Sequence, residues 1–187
     1  MATWNSRGLR GSALEEYINH TCEKYREKGL ALIQKVPTPI TPVRIEQQSR
    51  HITLAYFDKK STVDYIGVVQ GIPVCFDAKE CRTDSFPLQN IHGHQVEFMK
   101  DFEAQQGIAF LILYFAGRDE MYYMPFREMY RFWKRGQQGG PKHFKYSELA
   151  FGVFLKRKGN YLVPFLEGIQ RDLEQREQEE EAGQEKI

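Results

Sequence analysis

Hydrophobic residues recur along the chain at two spacings, and their alternation predicts a layered fold. Helical spacing of the apolar positions predicts helices over 13–28, 90–105 and 127–135. Alternating or continuous apolar runs predict strands over 30–35, 62–69, 72–80, 108–116 and 121–125. Residues 161–166 fit either a last strand or the start of a helix. This order of elements predicts an α/β fold in which helices flank a mixed β-sheet.

Two short segments interrupt or reverse the predicted strands. Pro37, Pro39 and Pro42 remove backbone donors and fix an extended backbone, so a regular central strand is excluded there. We therefore expect an extended arm over about 36–60. The pair Gln70-Gly71 is typical of a tight hairpin turn, which would place the strands on either side of it next to each other.

Length and charge place these elements in one domain followed by a tail. The 187 residues fit a single domain over 1–169, with the arm as an insertion. Residues 171–187 contain seven acidic and three basic side chains and almost no apolar ones, so 170–187 is predicted to be a disordered tail or a frayed helix. The remaining body has 23 basic and 18 acidic residues, a net charge of +5 that is compatible with a polyanionic partner.

Two further features of the composition bear on location and redox chemistry. No apolar run approaches the roughly 18 residues of a membrane span, and residues 1–10 do not have the apolar segment of a signal peptide. We therefore expect a cytoplasmic protein without membrane association. Cys22, Cys75 and Cys81 are odd in number and lack zinc-site spacing, so they are interpreted as ordinary thiols.

Candidate chemistry lies on the two strands of the predicted hairpin. Side chains alternate between the faces of a strand, so Cys75, Asp77 and Lys79 should share one open face while the residues between them face the core. Asp64 lies on the partner strand. A pair of carboxylates suits Mg²⁺, which prefers oxygen ligands, and a lysine supplies charge where a phosphodiester transition state becomes negative. The alternative is a solvated strand face whose ion pair stabilises the fold by about 0–1 kcal/mol.

Longer stretches of the chain resemble the RecU family of Holliday junction resolvases. Coverage runs from about residue 5 to 166. The matching segments are Arg7-Gly8, LEEYINHT (14–21), KVPTP (35–39), AYF (55–57), STVDYIGV (61–68), FDAKE (76–80), SFPL (85–88) and NIHGHQ (90–95).

The resemblance implies a restriction-endonuclease-like fold of the PD-(D/E)xK type, with the arm as a protruding stalk. It implies a metal-dependent endonuclease that acts on four-way branched DNA as a homodimer, with a recombinase as a possible partner. Mg²⁺, for which Mn²⁺ would substitute, is then bound by Thr62, Asp64, Asp77 and Gln95. Lys79 stabilises the transition state, and Glu15 is the acidic residue of the first helix.

The same resemblance gives a set of candidate DNA contacts and four departures from the family pattern. The contacts are Arg7, Lys35, Arg44 and Arg50, and Lys142 is a further candidate outside the resemblance. Two departures are Ile66, where asparagine is usual, and Cys81, where threonine is usual. Asp77 stands where the family usually has glutamate, which shortens the reach of the carboxylate by one methylene. Residues between Gly8 and Leu14 are a short insertion.

Several other residues have two interpretations that the sequence leaves open. His92 and His94 suggest a transition-metal site or, without a third ligand nearby, a loop or helix start near the substrate phosphate. Phe132 and Trp133 are more typical of a core or dimer interface than of a base-stacking platform. Lys142, with neighbouring His143 and Lys145, is either a contact to the DNA backbone or solvated charge.

Three functions remain to be distinguished. The first is a structure-selective endonuclease that resolves Holliday junctions by paired, symmetric nicks in recombination and repair. The second, motivated by Asp77, is a protein that binds branched DNA and modulates a recombinase, with weak or lost cleavage. The third is a restriction-type nuclease on duplex DNA, since one fold supports several functions.

Overall fold

The computed structural model describes residues 13–46, Ser49, 51–57 and 62–184. The helices are α1 Ala13–Glu27, α2 Gly93–Ala104, α3 Phe126–Gln137 and α4 Phe165–Gln184, with short 3₁₀ turns at Leu88–Asn90 and Tyr146–Glu148. The strands are β1 Leu32–Lys35, β2 Ile40–Ile45, β3 Ile52–Phe57, β4 Tyr65–Val69, β5 Ile72–Cys81, β6 Ser85–Pro87, β7 Ile108–Phe115, β8 Glu120–Pro125, β9 His143–Lys145 and β10 Val153–Leu155.

A six-stranded mixed sheet forms the centre of the molecule. Its strands lie in the order β1-β4-β5-β7-β8-β10. The pair β5–β7 is parallel, and its connection runs through α2, as a parallel pair requires a crossover. The other neighbours in this sheet are antiparallel. The predicted α/β fold, a mixed sheet flanked by helices, is therefore confirmed.

Both faces of this sheet are covered. On one face, Phe76 and Phe110 pack with buried residues of α1 and α4, among them Ile18 and Phe165. On the other face, Cys75 and Leu111 belong to a second core that includes α2 and α3. The expectation that the strand around Asp77 has an open face was therefore wrong at its middle, because α2 and α3 cover that face.

The hairpin between β4 and β5 sets the register of the candidate site. Gln70 and Gly71 have φ angles of 48° and 92°. Positive φ at both central positions is the geometry of a two-residue type I′ turn, which glycine adopts at little cost. Val69 pairs with Ile72 and Tyr65 with Phe76, so Asp64 and Asp77 come together at the far end of the ladder.

The predicted arm is a two-stranded hairpin outside the central sheet. β2 and β3 pair only with each other, with register shifts around Pro42 to Ile45. Side chains on both strands are largely exposed, including Ile45, Leu54 and Tyr56. The proline-based exclusion of a central strand is therefore confirmed for the described part of the arm; residues 47, 48, 50 and 58–61 lie outside the described residues.

The C-terminal segment is helical over its described residues. Helix α4 continues to Gln184, where acidic composition predicted a disordered tail or frayed helix from residue 170. The first turns of that segment are fixed by packing, because Ile169 and Asp172 are buried. The Asp172 carboxylate pairs with Arg127 at 2.7 Å and with Arg176 at 3.2 Å. Tertiary contacts thus override the low hydrophobicity of this stretch.

Two smaller expectations concern cysteines and membranes. Cys22, Cys75 and Cys81 are free thiols, as predicted, and all three are buried, including Cys75, which was expected on an open strand face. Across the described ranges, no helix has the length and apolar character needed to cross a bilayer.

Candidate active site

Asp64 and Asp77 hold each other in place through the backbone. Asp77 lies in the middle of β5, and its side chain is fully buried, with 0% exposure. Its Oδ1 accepts a hydrogen bond from the backbone N–H of Asp64 at 2.7 Å. In return, Oδ2 of Asp64 accepts one from the backbone N–H of Ala78 at 3.1 Å. Asp64 was expected on the strand but immediately precedes β4, and because each carboxylate accepts a bond from the other segment's backbone, the two side chains lie close together.

Lys79 completes the group from the same strand. Two residues after Asp77, it lies on the same face of β5, and its Nζ is 2.9 Å from Oδ2 of Asp77. The lysine side chain retains 18% exposure, so the ammonium is reachable from solvent. The structure therefore brings together the three side chains that the Asp, Asp-x-Lys pattern singled out.

Gln95 reaches this group from α2. It is the third residue of the helix, and its Oε1 accepts a hydrogen bond from the backbone N–H of His92, the N-cap residue, at 3.0 Å. That contact assigns the amide orientation, since an N–H needs an acceptor. Nε2 of Gln95 therefore points to Oδ2 of Asp77, to which it donates at 2.5 Å. Gln95 therefore lies in direct contact with Asp77.

Burial changes the acidity of Asp77. Loss of hydration, the largest effect, raises its pKa from 3.8 to about 6. The Lys79 ammonium opposes this increase in pKa, whereas the nearby Asp64 carboxylate adds to it. A second positive charge near the two carboxylates would favour the ionised form of Asp77, and a divalent cation supplies it.

Glu15 and Lys35 lie on neighbouring elements and contact each other. Nζ of Lys35, at the end of β1, is 2.7 Å from Oε2 of Glu15 in the first turn of α1. The residue after Lys35, Val36, donates its backbone N–H to the carbonyl oxygen of Asp64 at 2.8 Å. This contact connects the end of β1 to the acidic pair, which is why Glu15 and Lys35 belong to the surroundings of the site.

The donor groups fit a hard divalent cation. Asp64 and Asp77 supply two carboxylates, and half-buried Thr62, two residues before Asp64, supplies a hydroxyl oxygen. Oxygen ligands of this kind suit Mg²⁺ or Mn²⁺ rather than a thiol-preferring metal. Over the described residues there is no group of three or more His, Cys, Asp or Glu side chains placed for a metal, so a cation here would rely on the two carboxylates and on neutral oxygens.

Three of the predicted DNA contacts are described, and they lie on different elements. Lys35 is at the end of β1, Arg44 is exposed on β2, and Lys142 is exposed just before β9. Arg7 and Arg50 lie outside the described residues, as does the segment that would show the insertion after Gly8. Of the three described contacts, Lys35 is connected to Asp64 through the backbone hydrogen bond of Val36.

The histidine pair and the aromatic pair are resolved differently. His92 is the N-cap of α2, in agreement with the interpretation of this pair as a helix start. Its ring stacks on that of His94, with 5.4 Å between the ring centroids. Phe132 is buried in the core, as predicted, and Trp133 is only half-buried.

Sequence reasoning missed the positioning of Asp77 by α2. A capping box, in which the third helix residue bonds back to the N-cap, is the sequence signal that locates Gln95, but histidine is an unusual residue at its first position. The pairing of Glu15 with Lys35 has no local signal, because 20 residues separate them.

Comparison with known proteins places this geometry in a family. The sequence model described as "RecU: Recombination protein U" matches residues 9–171. A Holliday junction resolvase RecU from Levilactobacillus brevis is 39% identical over 173 residues, covering 90% of this chain and 86% of that protein. A Holliday junction resolvase RecU from Staphylococcus aureus is 40% identical over 162 residues, covering 84% and 74%.

A solved structure gives a more distant likeness. Hjc from Archaeoglobus fulgidus, described as a Holliday junction resolvase, aligns with a TM-score of 0.37 and 9% identity over 60% of this chain and 77% of that one. That value is too low to support an argument. The family match spans both strands of the candidate site and the helix that carries Gln95. This chain belongs to the RecU family.

Proposed function

We propose that this protein is a structure-selective endonuclease that resolves Holliday junctions by paired, symmetric nicks in homologous recombination and DNA repair. The observation that carries the proposal is the convergence of Asp64, Asp77 and Lys79, with 2.9 Å between Lys79 Nζ and Asp77 Oδ2, in a RecU-family chain. The relatives in that family bear the name Holliday junction resolvase.

The proposed cofactor is Mg²⁺, with Mn²⁺ as a substitute. Asp64 and Asp77 would hold it, with Thr62 and Gln95 completing the ligands. When bound, such an ion neutralises charge on the phosphoryl oxygens and lowers the pKa of a bound water. Gln95 would serve as a ligand through its carbonyl oxygen, which also accepts a hydrogen bond from the backbone N–H of His92.

Lys79 contributes fixed positive charge beside the scissile phosphate. Its ammonium is held by Asp77 and is still partly exposed, so it would lie where negative charge develops on the phosphoryl oxygens. Removal of one such electrostatic group commonly lowers a rate by about 10²–10³. Glu15 would act less directly, by holding Lys35 at the edge of the site.

The substrate requires two such sites. A four-way junction is resolved by two symmetric nicks, and a homodimer with twofold symmetry presents two equivalent sites. Lys35, Arg44 and Lys142, with Arg7 and Arg50, would contact phosphates, which fix the orientation of DNA without reading its sequence. We place this activity in the cytoplasm, with a recombinase as a further partner.

A second candidate is a branched-DNA-binding protein with weak or lost cleavage that modulates a recombinase. The observation that favours it is Asp77 itself, which is shorter than the usual glutamate and whose oxygens both already accept hydrogen bonds within the protein. Cleavage in the presence of metal decides between the two candidates.

The test is incubation of the full chain with a labelled synthetic four-way junction, with and without Mg²⁺. We expect pairs of nicks at symmetric positions only with the metal, and little cutting of a linear duplex that has the sequence of one arm. Glu15→Gln and Lys35→Gln should weaken cleavage less than Lys79→Ala, because they change the surroundings and not the reacting charges.

Two results would contradict the proposal. Tight binding of the junction without nicks, in Mg²⁺ and also in Mn²⁺, would select the second candidate. A sequence-specific pattern of cuts in the linear duplex would instead select a restriction-type nuclease.

A further inference from the structure

A cavity lies beside the start of α2, and Lys142 is the one lining residue to which a role has been given above, as a phosphate contact. Its volume is about 400 Å³, which is within the range of small-ligand pockets. Buried Leu88 and Ile91 contribute an apolar floor, and the half-buried ring of Trp133 forms part of the wall. We call this cavity the Trp133 pocket. Its remaining lining residues are Gln89, Gly136, Gln137, Gly139 and Lys142.

The glycines keep this pocket open. A β-carbon at Gly136 would lie 2.9 Å from Cδ1 of Leu88, so a side chain there would enter the floor. Gly139 has a φ of +87°, a conformation that side-chain-bearing residues rarely adopt, and it lets the loop after α3 turn back. The backbone N–H of Leu88 donates to the carbonyl oxygen of Lys142 at 3.0 Å, which fixes Lys142 beside the floor.

The charge that lines the Trp133 pocket is positive and comes from Lys142. Lys142 is exposed and pairs with no described carboxylate, and no acidic residue lines the pocket. Gln89 and Gln137 add two exposed amides, which both donate and accept hydrogen bonds. These groups are complementary to a nucleotide. The aromatic ring can stack on the face of a base. The two amides can bond to the edge of the base, and the ammonium can pair with a phosphate.

The pocket is next to the proposed active site. A β-carbon at Gly93, the first residue of α2, would lie 4.0 Å from the Trp133 ring. Two residues further along the same helix, Gln95 donates to Asp77. The N-terminal end of α2 thus lies between the pocket and the acidic pair. Its partial positive charge would favour a phosphate group that is bound nearby.

We propose that the Trp133 pocket binds an unpaired nucleotide of branched DNA, with the base against Trp133, the amides of Gln89 and Gln137 at its edge, and Lys142 on a flanking phosphate. This inference rests on the proposed function, and it adds a subsite at which a strand leaving the duplex is held beside the scissile bond. Duplex DNA does not fill it, because its bases remain paired and stacked.

Tryptophan fluorescence tests this directly, without metal or cleavage. The chain has two tryptophans, Trp4 and Trp133, and in a Trp4→Phe background Trp133 alone reports. In EDTA we expect a ten-nucleotide thymidine strand to quench this emission. An abasic strand of the same length and charge, and a blunt duplex, should quench it much less.

Variants then assign the contacts, with affinity measured by anisotropy of a labelled thymidine strand. Trp133→Ala should weaken binding by about tenfold, the order expected for loss of one stacked base, whereas Trp133→Phe should retain most of the affinity. Gln89→Ala/Gln137→Ala should weaken it less than Trp133→Ala. Lys142→Gln should reduce affinity and the slope of its salt dependence, and Lys100→Gln on α2 should change neither.

Equal quenching by the abasic and thymidine strands would overturn the proposal, and this comparison requires no substitution at 133. A folded Trp133→Ala variant with wild-type affinity would overturn it as well. The proposed function can fail separately. If the thymidine strand quenches Trp133 emission but no junction is nicked in Mg²⁺ or Mn²⁺, the nucleotide-binding role of the pocket is supported and the resolution of junctions is contradicted.

Discussion

At the scale of single residues, burial of Asp77 destabilises its ionised side chain. A carboxylate with 0% exposure loses its hydration, and one ammonium and two hydrogen-bond donors only partly replace it. Burial raises its pKa to about 6 for this reason. Buried acids with shifted pKa values concentrate at active sites, which supports the role proposed for Asp77.

Two substitutions at Asp77 distinguish the effect of the carboxylate's charge from the effect of its side-chain length. Asp77→Asn removes the charge and should lower the single-turnover rate of junction cleavage by about 10²–10³. Asp77→Glu restores the residue that the family usually has, so it should cleave well above the Asn variant. Thermal unfolding checks that both variants are folded. An Asn variant that cleaves at the wild-type rate would remove Asp77 from the site.

The stability of the metal-free protein should depend on pH through the same carboxyl. Its pKa is 3.8 unperturbed and about 6 when folded, so the folded state binds the proton more tightly. The raised pKa means that this contribution to stability is greatest at low pH and declines as pH rises through about 6. We expect it to fall by about 2 kcal/mol between about pH 4.5 and pH 7.5, at about 1.4 kcal/mol per unit of pKa shift.

Urea unfolding in EDTA at those two pH values measures this effect. The quantity is the free energy of unfolding of the wild type minus that of Asp77→Asn, since other titrating groups cancel in the difference. A difference that is constant with pH, or that rises, would contradict the assigned acidity of Asp77.

At the scale of elements, the C-terminal helix has two halves with different roles. Asp172, whose side chain is 1% exposed, accepts hydrogen bonds from Tyr123 and Arg127. Arg176 connects it to Glu103 on α2 at 2.7 Å. Beyond Arg176 the described residues are rich in acidic side chains and form no ion pair with the rest of the fold. The helix therefore joins the fold by its first half.

Two truncations test this division. A chain that ends after Gln170 leaves Arg127 without its carboxylate, so its free energy of unfolding should fall by about 2–4 kcal/mol. A chain that ends after Gln178 keeps the network and should lie within about 0.5 kcal/mol of the full chain. The measurement is urea unfolding at one pH and salt concentration. Equal loss of stability in both would show that the acidic half also packs.

Elements differ in how well the sequence predicts them. The long strands β5 and β7 and the turn at Gln70-Gly71 have strong local signals, and the alternation in β5 places Asp77 and Lys79 on one face. The strands β6, β9 and β10 have three residues each, too few to form a pattern. Composition left open whether residues 170–187 are helical, because the buried side chains that hold α4 are few among the glutamates.

At the scale of the whole molecule, the sheet has a core on each face and the candidate site at its middle. Local patterns predict which face a side chain takes, but not what covers that face. The burial of Asp77 and the reach of Gln95 depend on how α2 crosses the sheet, which no alternation within β5 encodes. The resemblance of the sequence to a known family identified those residues without their geometry.

The most direct test of the central claim is the single-turnover cleavage of a synthetic four-way junction in Mg²⁺ by Lys79→Ala. If Asp64, Asp77 and Lys79 form one metal-dependent site, the rate should fall by about 10²–10³ with junction affinity in EDTA nearly unchanged. Lys100→Ala, an exposed lysine on α2, is the matched control and should cleave normally. A Lys79→Ala protein that nicks the junction at the wild-type rate would contradict the account.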